Sequence, residues 1–111
     1  MAVRIHAKGV ELDDEERSLL DTLINEYSEK IKRELKKEAV VDLTLKVYEK
    51  CGEDGKCGKK KYSLNLKIIN SFVFKSDSYD YDLAKAIHKA FKKILSEIEH
   101  RLHVSNQNKR Q

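Results

Sequence analysis

Two stretches of this chain alternate strictly between apolar and polar residues, and they constrain the fold more than anything else in it. Val41, Leu43, Leu45 and Val47 alternate with Asp42, Thr44, Lys46 and Tyr48. Tyr62, Leu64, Leu66 and Ile68 alternate with Lys61, Ser63, Asn65 and Lys67. A period of two makes each stretch a strand with one apolar face. Between them Cys51 to Gly58 carries the glycines and the Asp of a hairpin tip. The two apolar faces then lie on the same side of one sheet and need a second layer over them.

The rest of the chain supplies that layer. Val3, Ile5 and Ala7 alternate with Arg4, His6 and Lys8, which predicts a half-buried first strand. Leu20, Leu23, Ile24, Tyr27, Ile31 and Leu35 recur at helical spacing, which predicts an amphipathic helix over residues 13–37. Asp13 or Asp14 is placed to cap it. Asn70-Ser71 marks a turn into a short fourth strand with Phe72 and Phe74 inward. Ser76 to Asp82 reads as a polar loop, and Asp80 or Asp82 caps the last helix. The stripe of that helix is Leu83, Ile87, Ala90, Phe91, Ile94, Ile98 and Leu102. Residues 1–103 form a single domain in this reading, and 104–111 a polar, basic tail.

The order is β-α-β-β-β-α. A right-handed crossover makes the first two strands parallel, and hairpins add the others. The expected class is α+β, in two layers, with both helices on one face of a four-stranded mixed sheet. The other face stays open and carries Arg4, His6, Lys8, Lys46, Tyr48, Lys59, Lys61, Lys67 and Lys75. A chain of 111 residues buries about two thirds of its unfolded surface, enough for a core without metal or disulfide. It contains no run of eighteen apolar residues, and Met1 to Val10 lacks the apolar stretch of a signal peptide. The expected setting is cytoplasmic, with no membrane partner.

Net charge is only +4, but it is unevenly spread. Leu12 to Glu29 holds seven acids and one base. Lys30 to Lys37 holds five bases and one acid, and Lys46 to Lys67 seven lysines and three acids. Lys85, Lys89, Lys92 and Lys93 share a sector of about 100° on the last helix, opposite its apolar stripe. Lys30, Arg33 and Lys37 form a second basic row on the first helix. Like charges on one face repel unless an anion matches them, and a phosphate backbone supplies that match. A solvated Lys/Glu surface of a heat-adapted protein is the bland alternative. The combined rows favour nucleic acid, and Lys85, Lys89, Lys92, Lys93, Lys30, Arg33, Lys37 and Arg101 are the expected nucleic-acid-binding residues.

No catalytic set stands out. The four His are dispersed, and neither a P-loop, a G-x-G-x-x-G nor a nucleophile elbow is present. Asp77, Asp80 and Asp82 read better as turn and cap residues than as a cation site. Tyr48 is a lone aromatic among lysines on the open face. Cys51 and Cys57 can stand reduced, pair as a cross-hairpin disulfide, or join a metal site. Zinc would need His6 or a second chain to complete its ligands. The reading is a non-enzymatic protein with no cofactor, no metal and no small-molecule substrate.

At this point the chain resembles the ribosome hibernation-promoting factors, also called ribosome-associated inhibitors. The likeness rests on the strand order, on Val3-x-Ile5 with Val10-Glu11-Leu12, and on Asp82, Ala86-Ile87 and Lys93-Ile94 in the last helix. It spans roughly residues 2–103 and implies the short form, without a second domain. It implies binding to ribosomal RNA of the small subunit in the decoding channel, where messenger and transfer RNA would otherwise sit. Lys93 carries over by motif position. Ser96-Glu97 departs from the Arg-Gln common in the family, and the Cys-bearing tip is foreign to it. With about six phosphate contacts, affinity would fall roughly a thousandfold between low and moderate salt. Reversing Lys89 and Lys92 to Glu is expected to abolish binding. Two alternatives stand beside this: a general RNA- or DNA-binding domain using the open sheet, and a regulatory homodimer formed through the sheet or the Cys hairpin.

Overall fold

In a computed structural model the chain forms β1 (Ala2–Gly9), α1 (Asp14–Leu35), β2 (Val40–Tyr48), β3 (Lys61–Ile69), β4 (Val73–Asp80) and α2 (Leu83–Arg110). The structure describes residues 2–35 and 38–110, with side chains through residue 101. The sheet order is β1-β2-β3-β4. β1 pairs parallel with β2, with Ile5 opposite Leu43. β2–β3 and β3–β4 are antiparallel, with Leu43 opposite Leu66 and Leu66 opposite Ser76. This is the two-layer α+β arrangement expected from the order of elements.

The alternating residues of β2 and β3 meet both helices. Val41, Leu43, Leu45, Leu64, Leu66 and Ile68 are buried against Leu20, Ile24, Tyr27 and Ile31 of α1 and Ile87, Phe91, Ile94 and Ile98 of α2. α1 starts on a reciprocal cap. The Glu16 amide donates to Asp13 Oδ1 at 2.8 Å, and the Asp13 amide donates to Glu16 Oε1 at 3.1 Å. Asp82 caps α2, accepting from the Lys85 amide at 3.2 Å. Glu16 also accepts hydrogen bonds from the Tyr62 hydroxyl and from Lys60 Nζ, which ties the start of α1 to the start of β3. Gly9 is required where β1 ends. Its φ is +89°, and a Cβ there would stand 2.2 Å from the Val47 carbonyl oxygen.

Several expectations are corrected. β1 is exposed along its whole length rather than half-buried. It is an edge strand that α1 does not cover, and a groove of about 420 Å³ opens between Ile5, Ala7, Val10, Leu12, Leu20 and Asp21. β4 runs through Asp80, over most of the segment expected as a loop. Its inward residues after Phe74 are Ser76 and Ser78, whose hydroxyls donate to the Ala90 and Ala86 carbonyls of α2 at 2.7 and 2.6 Å. Those bonds satisfy the hydroxyls under the helix, so small polar residues hold an inward face. Phe72 is 55% exposed, while Phe74 is buried as expected. The bend at residues 70–72 precedes the strand, so Phe72 escapes its alternation. Cys51 and Cys57 form a disulfide across the hairpin tip, which settles the three alternatives for this state. Finally, α2 continues to Arg110, over the segment read as a tail.

Candidate nucleic-acid interface

The outward seam between α1 and α2 carries a basic groove with an aromatic floor. Apolar spacing turns Tyr27 into the interface, where it is buried and stacks on Phe91 with ring centroids 4.6 Å apart and planes 1° from parallel. Its hydroxyl lies 2.5 Å from His88 Nδ1. Burial, with the charge of Glu26 behind it, pushes the Tyr27 hydroxyl pKa up, so it stays protonated and donates. His88 Nδ1 is then the acceptor of that bond.

Lysines rim this floor. Tyr27, Lys85, His88, Lys89 and Lys92 line a depression of about 440 Å³. Lys30 of α1 meets the same ring, its Nζ 5.1 Å from the Tyr27 centroid. Lys85 and Lys92 stand about 10 Å apart along the α2 axis. Among the described residues, no carboxylate pairs with Lys30, Lys85 or Lys92.

The other expected RNA-binding residues are placed differently. Lys89 lines the groove but ion-pairs with Asp80, its Nζ 2.6 Å from Oδ2. That hydrogen bond, followed by one from the Asp82 amide, holds the Asp80 carboxyl below the usual carboxylate range. Helical spacing missed this partner because it comes from β4, a segment expected as a loop. Lys93 turns to the sheet edge and donates to the Asp77 carbonyl at 3.0 Å. Arg33 Nε lies 3.5 Å from the Glu29 carbonyl of its own helix. Arg101 sits over the rings of Phe72 and Phe74, 5.3 and 5.2 Å from their centroids. It belongs to the far end of α2 and not to the groove. Lys37 lies outside the described residues.

The open sheet face holds a second arrangement. Tyr48 and Tyr79 are 52% and 66% exposed, and with Lys61 and Ser63 they line a shallow depression. Lys61 Nζ lies 4.9 Å from the Tyr79 ring centroid. Tyr79 escaped the sequence reading because its segment was read as a loop. Once β4 is extended, alternation from Phe74 puts Tyr79 on the open face beside Ser63, its cross-strand partner.

Fold and site together define a two-layer α+β domain that presents a lysine-rimmed groove between its helices, with no catalytic constellation among the described residues. No protein-family model matches the sequence, and no curated protein matches it. Among solved structures, the fold is that of the N-terminal domain of Thermus thermophilus Protein Y. The TM-score is 0.64 at 15% identity, over 90% of this chain and 98% of that one. A ribosomal subunit interface protein from Coxiella burnetii gives a TM-score of 0.60 at 9% identity, over 93% of this chain and 99% of that one. At such identities the likeness is one of fold. Among the described residues, no helix is long and apolar enough to cross a membrane.

Proposed function

We propose that this chain is a non-enzymatic, ribosome-binding inhibitor of translation, of the hibernation-factor kind. It sits in the decoding channel of the small subunit and works in the cytoplasm. Its contacts are lysine–phosphate contacts to ribosomal RNA, centred on Lys30, Lys85, Lys89 and Lys92. The observation that carries this reading is the basic inter-helix groove, on a fold that coincides almost end to end with a ribosomal subunit interface protein. Inhibition is steric: a domain seated in the channel excludes messenger and transfer RNA, and no bond is made or broken. Lys93, Arg33 and Arg101 are secondary contacts at most, because each is held by its own neighbourhood.

Co-sedimentation with isolated small subunits, at low and moderate salt and with transfer RNA as competitor, tests it. The expected result is stoichiometric binding that salt weakens and transfer RNA displaces. Absence of binding at low salt removes the reading. The Tyr48–Lys61–Tyr79 face favours a second one, a stacking platform for single-stranded nucleic acid. That reading expects tight binding of short oligonucleotides and its loss in Tyr48→Ala.

A further inference from the structure

The hairpin tip offers a chemistry that the groove does not use. Beyond Tyr48 and Lys61 the β2–β3 ladder lapses, then resumes as a single bridge between Cys51 and Cys57. Backbone bonds fix that bridge independently of the sulfurs. The Gly52 amide donates to the Lys56 carbonyl at 2.8 Å, and the Gly58 amide to the Lys50 carbonyl at 2.7 Å. The turn inside is closed by Gly55, at φ +82°, and by Asp54, which accepts from the Lys56 amide. The Cα atoms of the two cysteines are 3.9 Å apart. Reduction therefore leaves two thiols facing each other on a held backbone, both exposed to solvent.

Glu49 stands beside them. Its Oε1 lies 3.7 Å from Cys51 Sγ, and its carboxylate and both sulfurs fall within 4.8 Å of one another. Zinc–sulfur bonds of about 2.3 Å and zinc–oxygen bonds of about 2.0–2.2 Å put donors of a tetrahedral site about 3.5–3.8 Å apart. The carboxylate is already at that separation from Cys51 Sγ and within 4.8 Å of Cys57 Sγ, and the sulfurs move apart to it once their bond is broken. His6, the third ligand that the sequence suggested, is not needed.

We propose that the reduced tip binds a thiophilic divalent cation of the zinc class through Cys51, Cys57 and Glu49, with water in the fourth position. The disulfide is the state that excludes the metal. Two thiolates and a carboxylate around a divalent ion leave one net negative charge, and Lys50 and Lys56 adjoin the two cysteines in the chain. Opening the site takes a two-electron reductant, such as a phosphine. The disulfide gains two electrons and two protons to give two thiols, and the phosphine leaves as its oxide with oxygen from water. Metal binding then releases the two thiol protons. The proposal rests on the tip alone and is independent of ribosome binding.

Cobalt(II) titration of the full chain tests it, because thiolate–cobalt charge-transfer absorption reports sulfur ligation directly. The phosphine-reduced protein is expected to bind one Co²⁺, which Zn²⁺ displaces, and the oxidised protein none. Glu49→Gln should weaken binding about tenfold or more, given that even outer-shell partners are worth that much. Cys51→Ser with Cys57→Ser should abolish the band, and circular dichroism should show these tip variants folded. A reduced protein without the band overturns the proposal. So does equal affinity in Glu49→Gln, or a band that survives loss of both cysteines.

Discussion

Neutralising Lys85 and Lys92 together should halve the salt dependence of ribosome binding without touching the fold. The groove gathers four lysines, Lys30, Lys85, Lys89 and Lys92. Each phosphate contact adds about 0.7–0.9 to the slope of log affinity against log salt, so four give a slope of about 3. Over a fourfold rise in salt, that is a loss of roughly sixtyfold, less than the thousandfold expected from six contacts. Lys85→Gln with Lys92→Gln leaves two contacts, a slope of about 1.5 and a loss of about eightfold. This pair is cleaner than Lys89 with Lys92. Reversing Lys89 would set a carboxylate against Asp80, now 2.6 Å from the lysine, and mix a structural effect into the binding. The assay is quantitative co-sedimentation with small subunits across a salt series. Lys93→Gln and Arg101→Gln serve as controls, each being held away from the groove. An unchanged slope in the double variant, or an equal drop in the controls, would falsify the groove as the contact surface.

Two further predictions concern the frame that carries the groove. Gly9→Ala combines a left-handed backbone with a 2.2 Å approach to the Val47 carbonyl. It should cost about 2–3 kcal/mol, read as a lower urea midpoint; a change within about 0.5 kcal/mol would contradict the close approach. Glu16 titrates at the seam of α1 and β3. Burial raises its pKa, but hydrogen bonds from Tyr62, the Asp13 amide and Lys60, with the Lys60 charge, outweigh that and hold it below 4.5. A carboxyl depressed in the folded state adds stability that is complete above its unfolded value and fades as pH falls through the folded one. Glu16→Gln should therefore cost about 1 kcal/mol near neutrality. The gap to wild type should close as pH falls below about 4.5, and a gap that stays constant down to about pH 3 would refute the linkage.

The sequence showed the fold wherever burial wrote a period into it. β2, β3 and both helices have apolar stripes that only one geometry buries, and all but the C-terminal end of α2 were read nearly to their ends. The second half of β4 was read as a loop because its inward residues are serines. Their hydroxyls are satisfied by α2 carbonyls, a relation between segments that no local pattern expresses. That one omission hid two features of the surface, the Asp80 countercharge on Lys89 and the exposure of Tyr79. Lys93 and Arg101 looked equivalent to Lys85 and Lys92 on charge alone. What separates them is the backbone carbonyl and the pair of rings that each one meets in three dimensions.

The exposure of β1 has a consequence for how the molecule opens. The strand is joined to the sheet along one ladder only, and none of its residues is buried. Its release is therefore a low-cost partial unfolding, because it sacrifices backbone bonds and almost no core. Release bares the β2 edge, whose register accepts the same segment from another copy as readily as its own. The 22 residues of α1 form a tether of about 33 Å, long enough for such strand exchange. Direct pairing of two β1 edges is opposed by Arg4, His6 and Lys8, which line one face of the strand with positive or titratable groups. Crowded copies of this chain are thus steered toward swapping β1 and away from stacking it.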